Sequence, residues 1–261
     1  MKLTVYHVDA FAEKVFQGNP AAVISLEDWP EDELMQKIAM ENNLSETAFF
    51  VKTDEGYHLR WFTPEYEIDL CGHATLASAY VIKNFLEPHL AEINFSTQKA
   101  GVLKASAADG FYTLDFPSRM PQPCTVPDKL LLSVGVNTVV EVLRSRDYFI
   151  VLPGEEAVRN IEPDYTLMKE LDTVGVIVTA KGQSADAVSR CFYPGAGIQE
   201  DPVTGSAHCN IVPYWSEKLG KTKLFCQQLS PRGGDLQCEL KGDRVLMSGK
   251  CVLYLVGEIT L

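Results

Sequence analysis

The sequence predicts an α+β fold built as two similar halves, and three observations carry that reading. Short alternating or β-branched runs outnumber helical patterns along the 261 residues. Each half contains one helical segment made largely of small and apolar residues. A short motif also recurs: Arg60-Trp61-Phe62-Thr63-Pro64 in the first half and Arg190-Cys191-Phe192-Tyr193-Pro194 in the second share Arg, Phe and Pro at matching positions. In both copies an acid, a glycine and the small-residue helix follow, with a longer loop in the second. Two strand-rich halves, each wrapping one central helix, fit α+β better than a parallel sheet.

The elements follow in order. Strand runs are expected at 3–9, 20–25, 47–52, 57–63, 92–96, 101–106 and 111–116. Residues 30–42 read as an amphipathic helix: Pro30 suits its first turn, the acids Glu31 to Glu33 complement the helix dipole, and Leu34 and Ile38 share a face. From Gly72 to Leu86 the residues are small and apolar on most sides, as in a helix buried all round. The second half offers strand runs at 138–143, 147–152, 173–179, 188–193, 236–240 and 251–256, and a helix starting near Gly205. The Pro-rich stretch Pro117–Pro127 is the natural linker, dividing the chain into 1–118 and 119–261, with the last strand open to returning to the first half.

Composition narrows the function. With 23 basic and 35 acidic residues the net charge is −12, and no basic run offers the footprint of a nucleic-acid or anionic-membrane binder. No apolar stretch approaches the roughly 18 residues of a membrane helix, and the N-terminus lacks signal-peptide anatomy, so a cytoplasmic protein with a small-molecule partner is expected. The seven cysteines show no C-x-x-C spacing and read as free, mostly buried thiols. There is no G-x-G-x-x-G, P-loop, G-x-S-x-G or H-E-x-x-H motif, so no bound cofactor is implied. His208 and Cys209 have no partner at ligand spacing, and no metal is expected. Arg232-Gly233-Gly234 reads as a surface turn between strands.

A duplicated protein with one buried helix per half can bring two helix N-termini to a shared cleft. Their unpaired N–H groups carry about half a positive charge and would hold a substrate carboxylate without Arg or Lys. Glu200-Asp201-Pro202-Val203-Thr204-Gly205-Ser206 fits this, since Gly205 permits close backbone approach and Thr204 or Ser206 adds a hydroxyl; an ordinary capped helix start is the alternative.

Five spaced motifs resemble the PhzF-like family of phenazine-biosynthesis isomerases: Gly18-Asn19-Pro20-Ala21-Ala22-Val23, Asn43-Leu44-Ser45-Glu46-Thr47-Ala48-Phe49, Arg60 to Pro64, Leu70-Cys71-Gly72-His73-Ala74-Thr75-Leu76-Ala77, and Glu200 to Ser206. They occur in family order and span most of the chain. The resemblance implies the diaminopimelate-epimerase-like fold, two pseudo-symmetric halves that are each a mostly antiparallel β-barrel around a central helix, with the active site in the cleft between them. It also implies a homodimer and a small carboxylic-acid substrate. By the same resemblance Glu46 is the general acid/base, His73 and Asp201 hold polar groups of the substrate, and Gly72, Gly205, Ser206, Ser45 and Thr204 supply contacts at the helix ends. Glu46 directly precedes an apolar strand run, where desolvation favours the protonated acid a proton shuttle needs. His73 as a cap or core histidine, and Asp201 as a turn residue before Pro202, are the structural alternatives.

Cys71 departs from the expected pattern. Racemases and epimerases of this fold pair two cysteines, one per half, and Cys71 stands at the first position, whereas the second offers only Asp201-Pro202-Val203. Cys209 falls about a turn and a half too late in its helix. Three functions therefore compete: an isomerase working through Glu46, a racemase or epimerase using Cys71, and a non-catalytic ligand or protein binder that keeps the fold.

Overall fold

A computed structural model describes all 261 residues. The chain forms two compact units, Met1–Asp115 with Met247–Leu261, and Phe116–Leu246. The unit boundary thus lies three residues before the sequence-based one, and the last strand belongs to the first unit.

The first unit contains β1 (Lys2–Ala10), β2 (Asn19–Leu26), α1 (Asp32–Asn42), β3 (Glu46–Thr53), β4 (Gly56–Phe62), β5 (Glu67–Ile68), α2 (Gly72–Val81), β6 (Glu92–Ser96), β7 (Val102–Ala108) and β8 (Phe111–Pro117), whose last two residues cross the boundary. The second contains β9 (Gln122–Pro123), α3 (Asp128–Ser133), β10 (Glu141–Arg144), β11 (Tyr148–Val151), α4 (Glu155–Arg159), α5 (Tyr165–Met168), β12 (Val176–Ala180), β13 (Ala187–Tyr193), β14 (Ile198–Asp201), α6 (Gly205–Leu219), β15 (Lys223–Gln228) and β16 (Gly234–Lys241). Strand β17 (Arg244–Gly249) crosses back, and β18 (Cys251–Thr260) pairs antiparallel with β1.

One pairing scheme occurs twice. In the first unit β1–β2 is antiparallel, β2–β3 parallel, β3–β4 and β4–β5 antiparallel, β4–β6 parallel and β6–β7 antiparallel. In the second, β10–β11, β11–β12, β12–β13, β13–β14, β13–β15 and β15–β16 repeat the same senses in the same order. The matched Arg-x-Phe motif lies on equivalent strands, β4 and β13. Arg60 makes a two-pronged pair with Glu67 of β5 at 2.7 and 2.7 Å, and Arg190 does the same with Glu200 of β14 at 2.7 and 2.8 Å. Each guanidinium also lies over the ring two residues on, Phe62 or Phe192. The sheet is mixed, because each unit carries two parallel pairs that the sequence did not signal.

Helix α1 starts at Asp32, two residues later than the sequence predicts, so Pro30 precedes it, and it buries Met35, Ile38 and Ala39. Asn43 ends it in the left-handed conformation (φ 48°), donating its N–H to the Ala39 carbonyl. Helix α2 is buried along most of its length and packs on β1, β2, β3, β7 and β18. Its small residues make that possible, and Thr75 and Ser78 satisfy their hydroxyls on the carbonyls of Cys71 and Ala74, four residues back. Ile82–Leu86 continues α2 as a single wider π turn. Helix α6 packs on β13, β15 and β16. Its internal Pro213 cannot donate to the Cys209 carbonyl, which instead accepts from the Arg119 N–H at 2.8 Å. The seven cysteines are free, and no helix is long and apolar enough to cross a membrane.

Candidate active site

Glu46 opens β3, where its parallel register opposite Ala21 of β2 sets the strand's apolar run Thr47–Phe50 into the core and leaves the carboxyl only 6% exposed. His73 is the second residue of α2 and is 4% exposed. Folding brings these residues together: His73 Nε2 lies 3.1 Å from Glu46 Oε2. The carboxylate oxygen lies off the direction of the ring N–H, so the contact is an ion pair in which Oε2 receives no aligned hydrogen bond. The other ring nitrogen, Nδ1, is 3.4 Å from Cys71 Sγ. Cys71 reaches it because it stands at the N-cap of α2 with extended backbone (φ −137°, ψ 114°), which turns its side chain back over the first turn.

Carboxylate, imidazole and thiol therefore stand in a row inside the protein. Burial disfavours the imidazolium, but the Cys71 sulfur and the Glu46 carboxylate beside the ring outweigh it and hold the His73 pKa well above the ordinary histidine value. The Cys71 thiol is pushed up to about 11, first by burial and then by the Glu46 charge, so it stays protonated near neutral pH. His73 thus faces the Glu46 carboxylate through Nε2 and the Cys71 sulfur through Nδ1. The Glu46–His73 pair can hold, release and take back a proton with little exposure to bulk water. Ser45 precedes Glu46 at the entry to β3, and Gly72 opens α2; both are half-buried.

In the second unit, Asp201 ends β14 and Thr204 caps α6. Thr204 Oγ1 donates to Asp201 Oδ2 at 2.6 Å, so the two form one hydrogen-bonded pair. Gln228, at the end of β15 and 1% exposed, clamps them: its Oε1 accepts from the Thr204 N–H at 2.8 Å and its Nε2 donates to the Asp201 carbonyl at 2.6 Å. His208 is fully buried and its Nδ1 donates to the Thr204 carbonyl at 2.8 Å. Burial lowers its pKa to about 4, so its ring is neutral. Gly205 is buried and Ser206 half-buried at the helix start.

Sequence reasoning missed the clamp by Gln228, which sits in a polar pair at a strand end with nothing to mark it. It also tested His208 and Cys209 for metal ligation, whereas the cluster with three donors is Glu46, Cys71 and His73, whose ligand atoms lie within 4.8 Å of one another. No sequence spacing joins position 46 to 71 and 73. Cys209, on α6, is buried and its thiol pushed up to about 11 by burial, as an inert core thiol.

The chain matches the family model described as "Phenazine biosynthesis-like protein" (PhzC-PhzF) over residues 8–257. It is 48% identical to an uncharacterized isomerase of Pseudomonas aeruginosa, over 261 residues that cover 100% of both chains. A crystal structure of a PhzF-family phenazine biosynthesis protein from Enterococcus faecalis superposes with a TM-score of 0.97 at 50% identity, covering 100% of both. A predicted epimerase from Pseudomonas aeruginosa shares the fold at a TM-score of 0.75 and 19% identity, covering 99% of this chain. By full-length sequence match and by structure, the chain belongs to the PhzC-PhzF family of phenazine biosynthesis-like proteins.

Proposed function

We propose that this protein is a cofactor-independent isomerase that moves a proton within a small carboxylate-bearing substrate, with Glu46 as the general acid and base. The observation that carries the reading is the buried Glu46–His73 pair at 3.1 Å, assembled from the start of β3 and the first turn of α2. A carboxylate that takes a proton from one carbon and returns it to another needs a fixed position, little competing water and a nearby charge that tolerates both of its states. His73 meets the last need, and the core run of β3 the first two. The isomerase name of a full-length relative at 48% identity agrees with this chemistry.

In this reading each unit is a mostly antiparallel β-barrel around its long helix, α2 or α6. The burial of α2 and its packing on five strands support that for the first unit. Within each unit the helix start, Gly72 with Ser45 in the first and Gly205 with Thr204 and Ser206 in the second, offers N–H groups and hydroxyls to substrate oxygens. Asp201 takes an amine or hydroxyl of the substrate.

The test is a panel of small unsaturated carboxylic acids incubated with the protein in D₂O, with carbon-bound deuterium followed by NMR. Glu46→Gln should slow exchange by about 10²- to 10⁴-fold while a bound acid still raises the melting temperature. Exchange at the parent rate in Glu46→Gln would reject the role. A second reading is favoured by one contact, Cys71 Sγ at 3.4 Å from His73 Nδ1, which could make the thiol a proton carrier in an epimerase. It requires exchange at a stereocentre that is lost in Cys71→Ser and retained in Glu46→Gln.

A further inference from the structure

Three donors of different chemistry converge at the start of α2: a carboxylate oxygen, a sulfur and a ring nitrogen, within 4.8 Å of one another. We propose that Glu46, Cys71 and His73 form a binding site for one borderline-soft divalent cation of the Zn²⁺ class, whose occupancy competes with proton transfer by Glu46. Cation binding stands on the donor geometry alone; the competition rests on the function proposed above.

Tetrahedral zinc holds such ligands at about 2.0–2.3 Å, which sets neighbouring donors roughly 3.4–3.6 Å apart. His73 Nε2 lies 3.1 Å from Glu46 Oε2 and 4.0 Å from Cys71 Sγ, and all three donors lie within 4.8 Å of one another, so closing them on one ion means rotating the side chains to draw the sulfur inward. Oε2 is buried and receives no aligned hydrogen bond, so a bound cation would engage a lone pair that the His73 contact leaves unused. The charges also close: one carboxylate and one thiolate neutralise a dication, so the filled site carries no net buried charge. Thiolate and imidazole select against Mg²⁺ and Ca²⁺, which prefer oxygen ligands. The fourth corner remains for water or a substrate carboxylate, as in zinc sites with three protein ligands. Glu46, His73 and Cys71 are buried, with 6%, 4% and 6% exposure, which shields the site from competing water. Binding expels the thiol proton and the imidazolium proton, two per cation, as the ligands take their metal-binding forms.

The experiment is a Co²⁺ titration of the full chain, followed by absorption and by calorimetry, with Zn²⁺ as competitor. The expected result is one equivalent bound, with a thiolate-to-cobalt charge-transfer band and the intense visible bands of a four-coordinate ion, both displaced by Zn²⁺. In Cys71→Ser, which is nearly isosteric, the charge-transfer band disappears, and in Glu46→Gln affinity falls by at least about 10-fold. A band that persists in Cys71→Ser would place the ion on other thiols, such as the buried Cys226–Cys238 pair, and overturn the proposal. The absence of any band in the parent protein would do the same. Neither readout depends on turnover, so its failure is separate from a failure of the isomerase reading.

Discussion

His73 and His208 lie in the first turns of α2 and α6, both buried, yet their pKa values move in opposite directions. The same residue type is a cation in one helix start and neutral in the other because of what faces it. His73 has the Glu46 carboxylate at 3.1 Å and the Cys71 sulfur at 3.4 Å. His208 has the Thr204 carbonyl and no charge, so burial decides. The strand pairing repeats between the units, but only the first helix start holds a buried carboxylate–imidazole–thiol row. In the second, hydrogen bonds among Asp201, Thr204 and Gln228 fix the backbone. The duplicated frame thus carries a titratable cluster at one helix start and a hydrogen-bonded clamp at the other.

The repeated arginines offer the largest expected effect. Glu200 is as buried as Arg190, at 10% side-chain exposure each, whereas Glu67 is 28% exposed. Arg190→Met strands a buried carboxylate and should cost about 3–5 kcal/mol by urea unfolding. Arg60→Met should cost less, roughly 1.5–3 kcal/mol, since water reaches Glu67. Equal losses would show that the two motifs are energetically equivalent despite their different burial.

A smaller effect separates the histidines by pH. The folded-state pKa of His208 is depressed, so the stability tied to its neutral ring is present above its unfolded value of 6.5 and is lost as pH falls toward about 4. That loss is about 3 kcal/mol over the window. His73 runs the other way: its contribution is complete below 6.5 and is lost as pH rises through its elevated folded value. His208→Asn keeps a donor for the Thr204 carbonyl but cannot titrate, so its stability should be lower and flatter between pH 6.5 and 4. A parent-like slope in that variant would assign the acid sensitivity to other groups.

Much of this organisation is legible in residues. The Arg-x-Phe-x-Pro repeat marks β4 and β13, and the small-residue run marks α2. Strands β15 and β17 escape notice because each holds only a three-residue apolar run, Leu224-Phe225-Cys226 or Val245-Leu246-Met247, too short to show a period. The four parallel pairings are set by tertiary packing and leave no local trace. At the site, the motif resemblance names Glu46 and His73 individually, but their contact joins segments 27 positions apart and needs coordinates. Cys71 and His73 are two positions apart, a spacing that separates side chains within a helix; they meet because Cys71 stands outside the helix as its cap.

The central claim is that Glu46 and His73 form a charged pair inside the first unit. Nitrogen-15 NMR of the histidine rings, from pH 5 to 9, tests it most directly. His73 should keep both ring nitrogens protonated well above pH 6.5 and lose that state in Glu46→Gln, with His208 neutral at the acidic end. A His73 ring that titrates at the ordinary histidine value, and identically with and without the Glu46 carboxylate, would contradict the account.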